Sequence, residues 1–198
     1  MLKRFHLILF LLIVSLPATA QTYEEQYTKC SELLPPIKGE IEPSYFEELP
    51  KRDACMEGVF APNFTATTID GQHLELAQLK GKVVVLNFWF TRCQPCIAEM
   101  PDLNKLVAHY SSDKVAFISF SYEEEKVVKA FLEKQPFKFA TVAKSETIRR
   151  DVFKLFSSWP YSIIIDREGK ISKMWTGNKN MSNGSNYEFY KKMIDQLL

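Results

Sequence analysis

Residues 82–90, KVVVLNFWF, form a near-continuous run of β-branched and aromatic side chains, and Cys93-Gln94-Pro95-Cys96 follows almost at once. A run with so few polar positions reads as a strand buried on both faces, which needs helices above and below it. Beyond the cysteines the period changes. Cys96, Met100, Leu103, Val107 and Tyr110 recur at spacings of four, three, four and three, the stripe of a helix over Gln94 to Ser111. A buried strand feeding directly into an amphipathic helix restricts the chain to an α/β architecture.

The remaining signals agree. Phe64 to Ile69 and Gln72 to Leu76 flank Asp70-Gly71, a two-residue hairpin signal. Strands are expected over Val115 to Tyr122, Phe139 to Ala143, Tyr161 to Asp166 and Lys170 to Trp175, with a turn at Arg167-Glu168-Gly169. Helices are expected over Glu123 to Gln135, whose first turn is acidic as the helix dipole favours, over Glu146 to Phe156, and over Asn186 to Leu198. This alternation implies a sheet with parallel pairs and helices on both faces, one domain spanning 60–198. With 46% apolar residues in 198 the chain can bury one sizeable core. Its 25 basic and 24 acidic residues leave a net charge of +1, without the basic footprint of a nucleic-acid binder.

The N-terminus reads differently. Lys3 and Arg4 precede an unbroken apolar run from Leu7 to Val14, then Pro17 and Ala18-Thr19-Ala20 before Gln21. That is the layout of a secretory signal peptide over 1–20, cleaved near Ala20. An uncleaved anchor is the alternative, although the run is shorter than the about 20 residues of a membrane helix. No cysteine stands at the cleavage site for lipid attachment. Export places the protein in the periplasm or another extracytoplasmic space, soluble and where disulfides persist. From Gln21 to Val59 no sustained period appears, and Pro35, Pro36, Pro43 and Pro50 interrupt it, so this segment is expected to be irregular. It contains Cys30 and Cys55. Parity in an exported chain predicts a structural disulfide between them, with two free thiols as the alternative.

Cys93 and Cys96 carry the chemistry. At a helix N-terminus, free backbone N–H groups and the dipole favour negative charge, so a Cys93 thiolate is stabilised there. Cys96 lies about one turn deeper on the same side and can resolve a mixed disulfide formed at Cys93. Pro95 suits a first turn, where its missing N–H costs nothing. The other readings of the pair are a zinc site and a static disulfide. Zinc needs about four ligands, and neither a second C-x-x-C nor His73 or His109 at ligand spacing supplies them. Ile97 stands where c-type haem attachment needs histidine. Glu99, one turn beyond Cys96, is either a base for the Cys96 proton or a solvated first-turn acid. Pro101 removes one helical hydrogen bond and should kink the helix.

Ala61-Pro62-Asn63-Phe64, Leu86-Asn87-Phe88-Trp89, the Cys93–Cys96 motif, Glu99-Met100-Pro101, Trp159-Pro160 and Ile165 to Lys170 together resemble the TlpA/ResA-like thioredoxin group. The resemblance covers Phe60 to Leu198. It implies a thioredoxin-like fold in which Glu123 to Ala143 is an inserted helix–strand unit, and an extracytoplasmic thiol–disulfide oxidoreductase needing no metal or organic cofactor. It further implies disulfide-bearing exported proteins as substrates, apocytochrome c among them, and a membrane thiol transporter as electron donor. It supports Glu99 as the assisting acid. It also implies a cis Pro160 facing the cysteines, with Trp159 shaping a substrate groove or packing as a core residue. Two positions depart from the pattern. Arg92 replaces the group's usual Trp before the first cysteine, favouring the thiolate and altering partner preference. Asn87 stands where classical thioredoxins carry a buried Asp, so it cannot accept the proton; its reading is an amide satisfied within a buried strand. Two rivals remain: a thiol peroxidase, although Phe90 occupies the position where a peroxiredoxin places Thr, and a binding module with a static Cys93–Cys96 disulfide.

Overall fold

The computed structural model describes residues 22–156, 158–177 and 185–198, so the expected signal peptide lies outside the described residues. The elements in chain order are α1 (Tyr23–Ser31), α2 (Pro43–Cys55), β1 (Thr65–Thr67), β2 (His73–Glu75), β3 (Val83–Trp89), α3 (Gln94–His109), β4 (Val115–Ser121), α4 (Glu125–Leu132), β5 (Ala140–Val142), β6 (Tyr161–Ile165), β7 (Ile171–Thr176) and α5 (Asn186–Asp195). Five strands form one sheet in the order β5-β4-β3-β6-β7. Strand β3 is central, parallel to β4 on one side and antiparallel to β6 on the other.

Every residue of β3 is buried. The strand's two-residue period explains why. Val84, Leu86 and Phe88 join a cluster with Ile118, Phe120 and Ile163, whereas Val83, Val85 and Trp89 pack with Met100 and Leu103 of α3 and Tyr190 and Ile194 of α5. Two cores thus lie on opposite faces of one sheet, and burying an aliphatic or aromatic side chain in either contributes about 1.5–3 kcal/mol.

Residues 21–59 were expected to be irregular, and here the structure corrects the reading. Thr22 caps α1 through a reciprocal capping box with Glu25. Pro43 occupies the start of α2, where a proline is tolerated. The buried positions of α2 are Tyr45, Leu49, Arg52 and Asp53. Two of the four are charged, which hides the apolar stripe from a periodicity search. Cys30 and Cys55 are bridged, Cα to Cα 5.7 Å, and join the helix ends.

Three further boundaries differ. The hairpin pairing ends at Thr67–His73, so its loop is longer than two residues; Gly71 takes a left-handed φ of 87° and Thr68 folds its hydroxyl onto Asp70 and the Gln72 amide. The helix expected over Glu146 to Phe156 is shorter, passing into a π-helical turn at Ile148–Val152 and ending before Lys154, whose left-handed φ of 54° turns the chain away. Helix α4 starts at Glu125 because Glu124 is extended, with ψ 142°, and the Glu123 carbonyl accepts from the Lys144 amide at 3.0 Å instead of opening a helix. Helix α3 runs on through Pro101.

Candidate active site

The site sits where β3 ends. Cys93 is the N-cap of α3, and its Sγ accepts a hydrogen bond from the Cys96 amide at 3.3 Å. The two cysteines are joined as a disulfide, Cα to Cα 5.2 Å. Both are buried, Cys96 more deeply than Cys93. Thr91 fixes the connection before them. Its amide and hydroxyl each donate to the Glu123 carboxylate at 2.7 Å, tying this loop to the end of β4. Arg92 is exposed.

Glu99 follows on α3, one turn past Cys96, and is 1% exposed. The reading of a solvated surface acid does not fit that burial. Desolvation pushes its carboxyl up to about 8, opposed by a hydrogen bond from Asn87. Asn87 Nδ2 donates to Glu99 Oε1 at 2.7 Å and to Ser162 Oγ at 3.1 Å. Ser162 Oγ lies 2.6 Å from the Tyr190 hydroxyl. Asn87 and Ser162 are register partners across β3 and β6, so strand pairing places this amide between α3 and α5. Glu99 Oε2 is buried and has no hydrogen-bond partner among the described residues. The acid therefore has one oxygen clamped and one left to exchange a proton.

Trp159 and Pro160 enter the same end of the sheet, because Tyr161 pairs with Phe88, one residue before the end of β3. The Trp159–Pro160 bond is cis. The Trp159 ring packs on Phe90 at 5.4 Å and on Tyr122 at 5.6 Å, and Phe90 and Tyr122 meet at 5.7 Å. The Arg149 guanidinium stacks on Trp159 at 4.9 Å and is held by Glu146. The fold thus sets Cys93, Cys96 and Glu99 along α3, with Arg92 directly before the first cysteine and Trp159 packed on Phe90 of the same connection. Cys30 and Cys55 lie apart, in the N-terminal helix pair. Sequence reasoning missed Ser162, Tyr190, Tyr122 and Arg149. Only Ser162 left a trace, as the polar residue interrupting an apolar strand opposite Asn87. Among the described residues no cluster of potential metal ligands occurs, and no helix is long and apolar enough to cross a membrane.

The chain is similar to known proteins in sequence and in fold. The sequence profile of the AhpC/TSA family matches residues 58–174. The thiol–disulfide oxidoreductase ResA of Bacillus cereus is 32% identical over 146 residues, covering 72% of this chain and 81% of its own. ResA of Bacillus subtilis is 33% identical over 132 residues, covering 66% and 73%. The thioredoxin domain of a thiol–disulfide oxidoreductase from Bacteroides vulgatus superposes with a TM-score of 0.58 at 25% identity, covering 70% of this chain and 97% of that one.

Proposed function

The chain belongs to the AhpC/TSA family and, within it, to the ResA-like thiol–disulfide oxidoreductases of thioredoxin fold; from that premise we propose that it is an exported reductase of disulfides in other exported proteins. The observation that carries this reading is the Cys93 sulfur at the N-cap of α3, with the Cys96 amide aimed at it and a proton-holding carboxyl one turn further in.

In the reduced form, the Cys93 thiolate receives the amide hydrogen bond and the positive end of the helix dipole. It attacks one sulfur of a substrate disulfide, forms a mixed disulfide, and releases the second substrate sulfur as thiolate. Glu99 takes the Cys96 proton in its ionised form, a minor fraction at neutral pH that grows as the pH approaches about 8. The Cys96 thiolate then attacks the Cys93 sulfur, and the first substrate sulfur leaves as a thiolate. Two electrons have passed from the dithiol to the substrate, leaving Cys93 and Cys96 as the disulfide seen here. Trp159, Pro160 and Arg92 form the wall against which the substrate chain lies. A membrane thiol transporter returns the electrons after cleavage of the leader, and apocytochrome c is a fitting substrate because its haem-attachment cysteines must be reduced.

At pH 7 iodoacetamide should label Cys93 of the reduced protein well before Cys96, and the reduced protein should turn over insulin disulfides. Cys93→Ser should abolish turnover, whereas Cys96→Ala, expressed in a periplasm, should retain substrates as mixed disulfides that identify them. Faster labelling of Cys96 would reverse the roles. Peroxide consumption without protein-disulfide turnover would favour a thiol peroxidase, and no turnover of either kind would make the pair a static bridge.

A further inference from the structure

The N-terminal helix pair lies outside the family match, which begins at residue 58. Its most deeply buried polar residues are nonetheless charged: Arg52 is 3% and Asp53 2% exposed. Burying two ions carries a large desolvation penalty, and an apolar pair of similar shape is often as stable. Stability alone does not account for them.

Both reach one hydroxyl. Tyr161 donates to Asp53 Oδ1 and accepts from Arg52 Nη2 at 3.1 Å, while Arg52 Nε lies 2.9 Å from Asp53 Oδ1. Tyr161 directly follows Pro160 and opens β6. At the other end of the same connection, the Tyr23 hydroxyl of α1 donates to the Phe153 carbonyl at 2.8 Å, and Lys154 lies 3.5 Å from Glu24. The connection that carries Trp159 and Pro160 is therefore anchored at both ends to α1 and α2. These helices are bound to each other by the Cys30–Cys55 bridge and by Gln26, whose side chain donates to the Cys55 carbonyl at 2.6 Å.

We propose that the disulfide-stapled helix pair positions the substrate wall of the active site, with Arg52 and Asp53 as positioning residues that act through Tyr161. This inference rests on the reading of Trp159 and Pro160 as that wall. It assigns the N-terminal pair to the docking of protein substrates and leaves the sulfur chemistry to α3. A small disulfide, which needs no extended wall, should not sense the device.

Tyr161→Phe keeps the ring in the core and removes the hydroxyl; a Cys30→Ser/Cys55→Ser double variant unstaples the helices. Reduced full-length protein is assayed with insulin and with glutathione disulfide, alongside the Cys93–Cys96 potential. In both variants KM for insulin should rise about three- to tenfold, as for one lost hydrogen-bonded contact, with glutathione disulfide turnover and the potential unchanged. An unchanged KM for insulin in folded Tyr161→Phe, or an equal loss with both substrates, would overturn the proposal. A wild-type protein that reduces neither disulfide would overturn the reductase reading along with it.

Discussion

At the residue scale, the decisive group is Glu99. A carboxyl raised to about 8 is protonated over much of the neutral range, while the same group in the unfolded chain ionises near 4.3. The folded state therefore holds a proton that the unfolded state has lost, and stability falls as pH rises from about 4.5 to about 8. Glu99→Gln removes this dependence. Urea unfolding of the oxidised protein at pH 5, 7 and 9 should show the wild type losing several kcal/mol more than the variant across that interval. Equal slopes would mean that Glu99 titrates normally. If Glu99 is the base of the proposed resolving step, the same variant should slow mixed-disulfide release by Cys96 and alter its pH profile between about pH 6 and 9; unaltered kinetics there would remove Glu99 from that step.

At the scale of elements, the loop between β3 and α3 is fixed by contacts from another strand's end. The Glu123 carboxylate takes two hydrogen bonds from Thr91 and a third from Ser121. Glu123→Ala should leave the sheet intact and loosen the approach to Cys93, read as faster amide hydrogen exchange at Thr91 to Cys93; unchanged exchange there would mean that the helix start is held by packing alone. The N-terminal helices are short, so local propensity alone would not sustain them. Their bridge spans a sequence separation of 25 residues and should stabilise by about 3.5 kcal/mol in the chain-entropy picture. Comparing urea midpoints of the double Cys30→Ser/Cys55→Ser variant with the wild type measures this, and a loss below about 1 kcal/mol would mean that packing against the sheet already orders the pair.

At the scale of the molecule, the fold sets the potential of the active pair. One N–H bond and the dipole of α3 stabilise a Cys93 thiolate, and the exposed Arg92 adds only modestly through screening water. Gln94 and Pro95 contribute no charge. Thiolate stabilisation from these sources alone predicts a potential of about −200 to −270 mV, between glutaredoxins and thioredoxin. Equilibration with glutathione buffers measures it. A value near −120 mV, the range of a disulfide donor, would reverse the direction of the reaction.

The reactive centre was legible in the sequence because its signals are local. A nearly apolar, β-branched run such as Val83–Trp89, broken only by Asn87, reads as a doubly buried strand, and the cysteine spacing on the helix that follows sets which sulfur lies outermost. Glu99's place behind the pair follows from the same helical period. What the sequence left open depends on partners distant along the chain. Glu99 is buried because Asn87 and Ser162 meet across two strands and α5 closes over them, contacts that join residues 12 to 75 positions apart. The two N-terminal helices escaped notice since their buried face is partly ionic, and Arg52 and Asp53 become intelligible only beside Tyr161, more than 100 positions away. Local periodicity reports where a side chain points. Whether burial leaves it charged, neutral or paired is decided by what the tertiary fold brings against it.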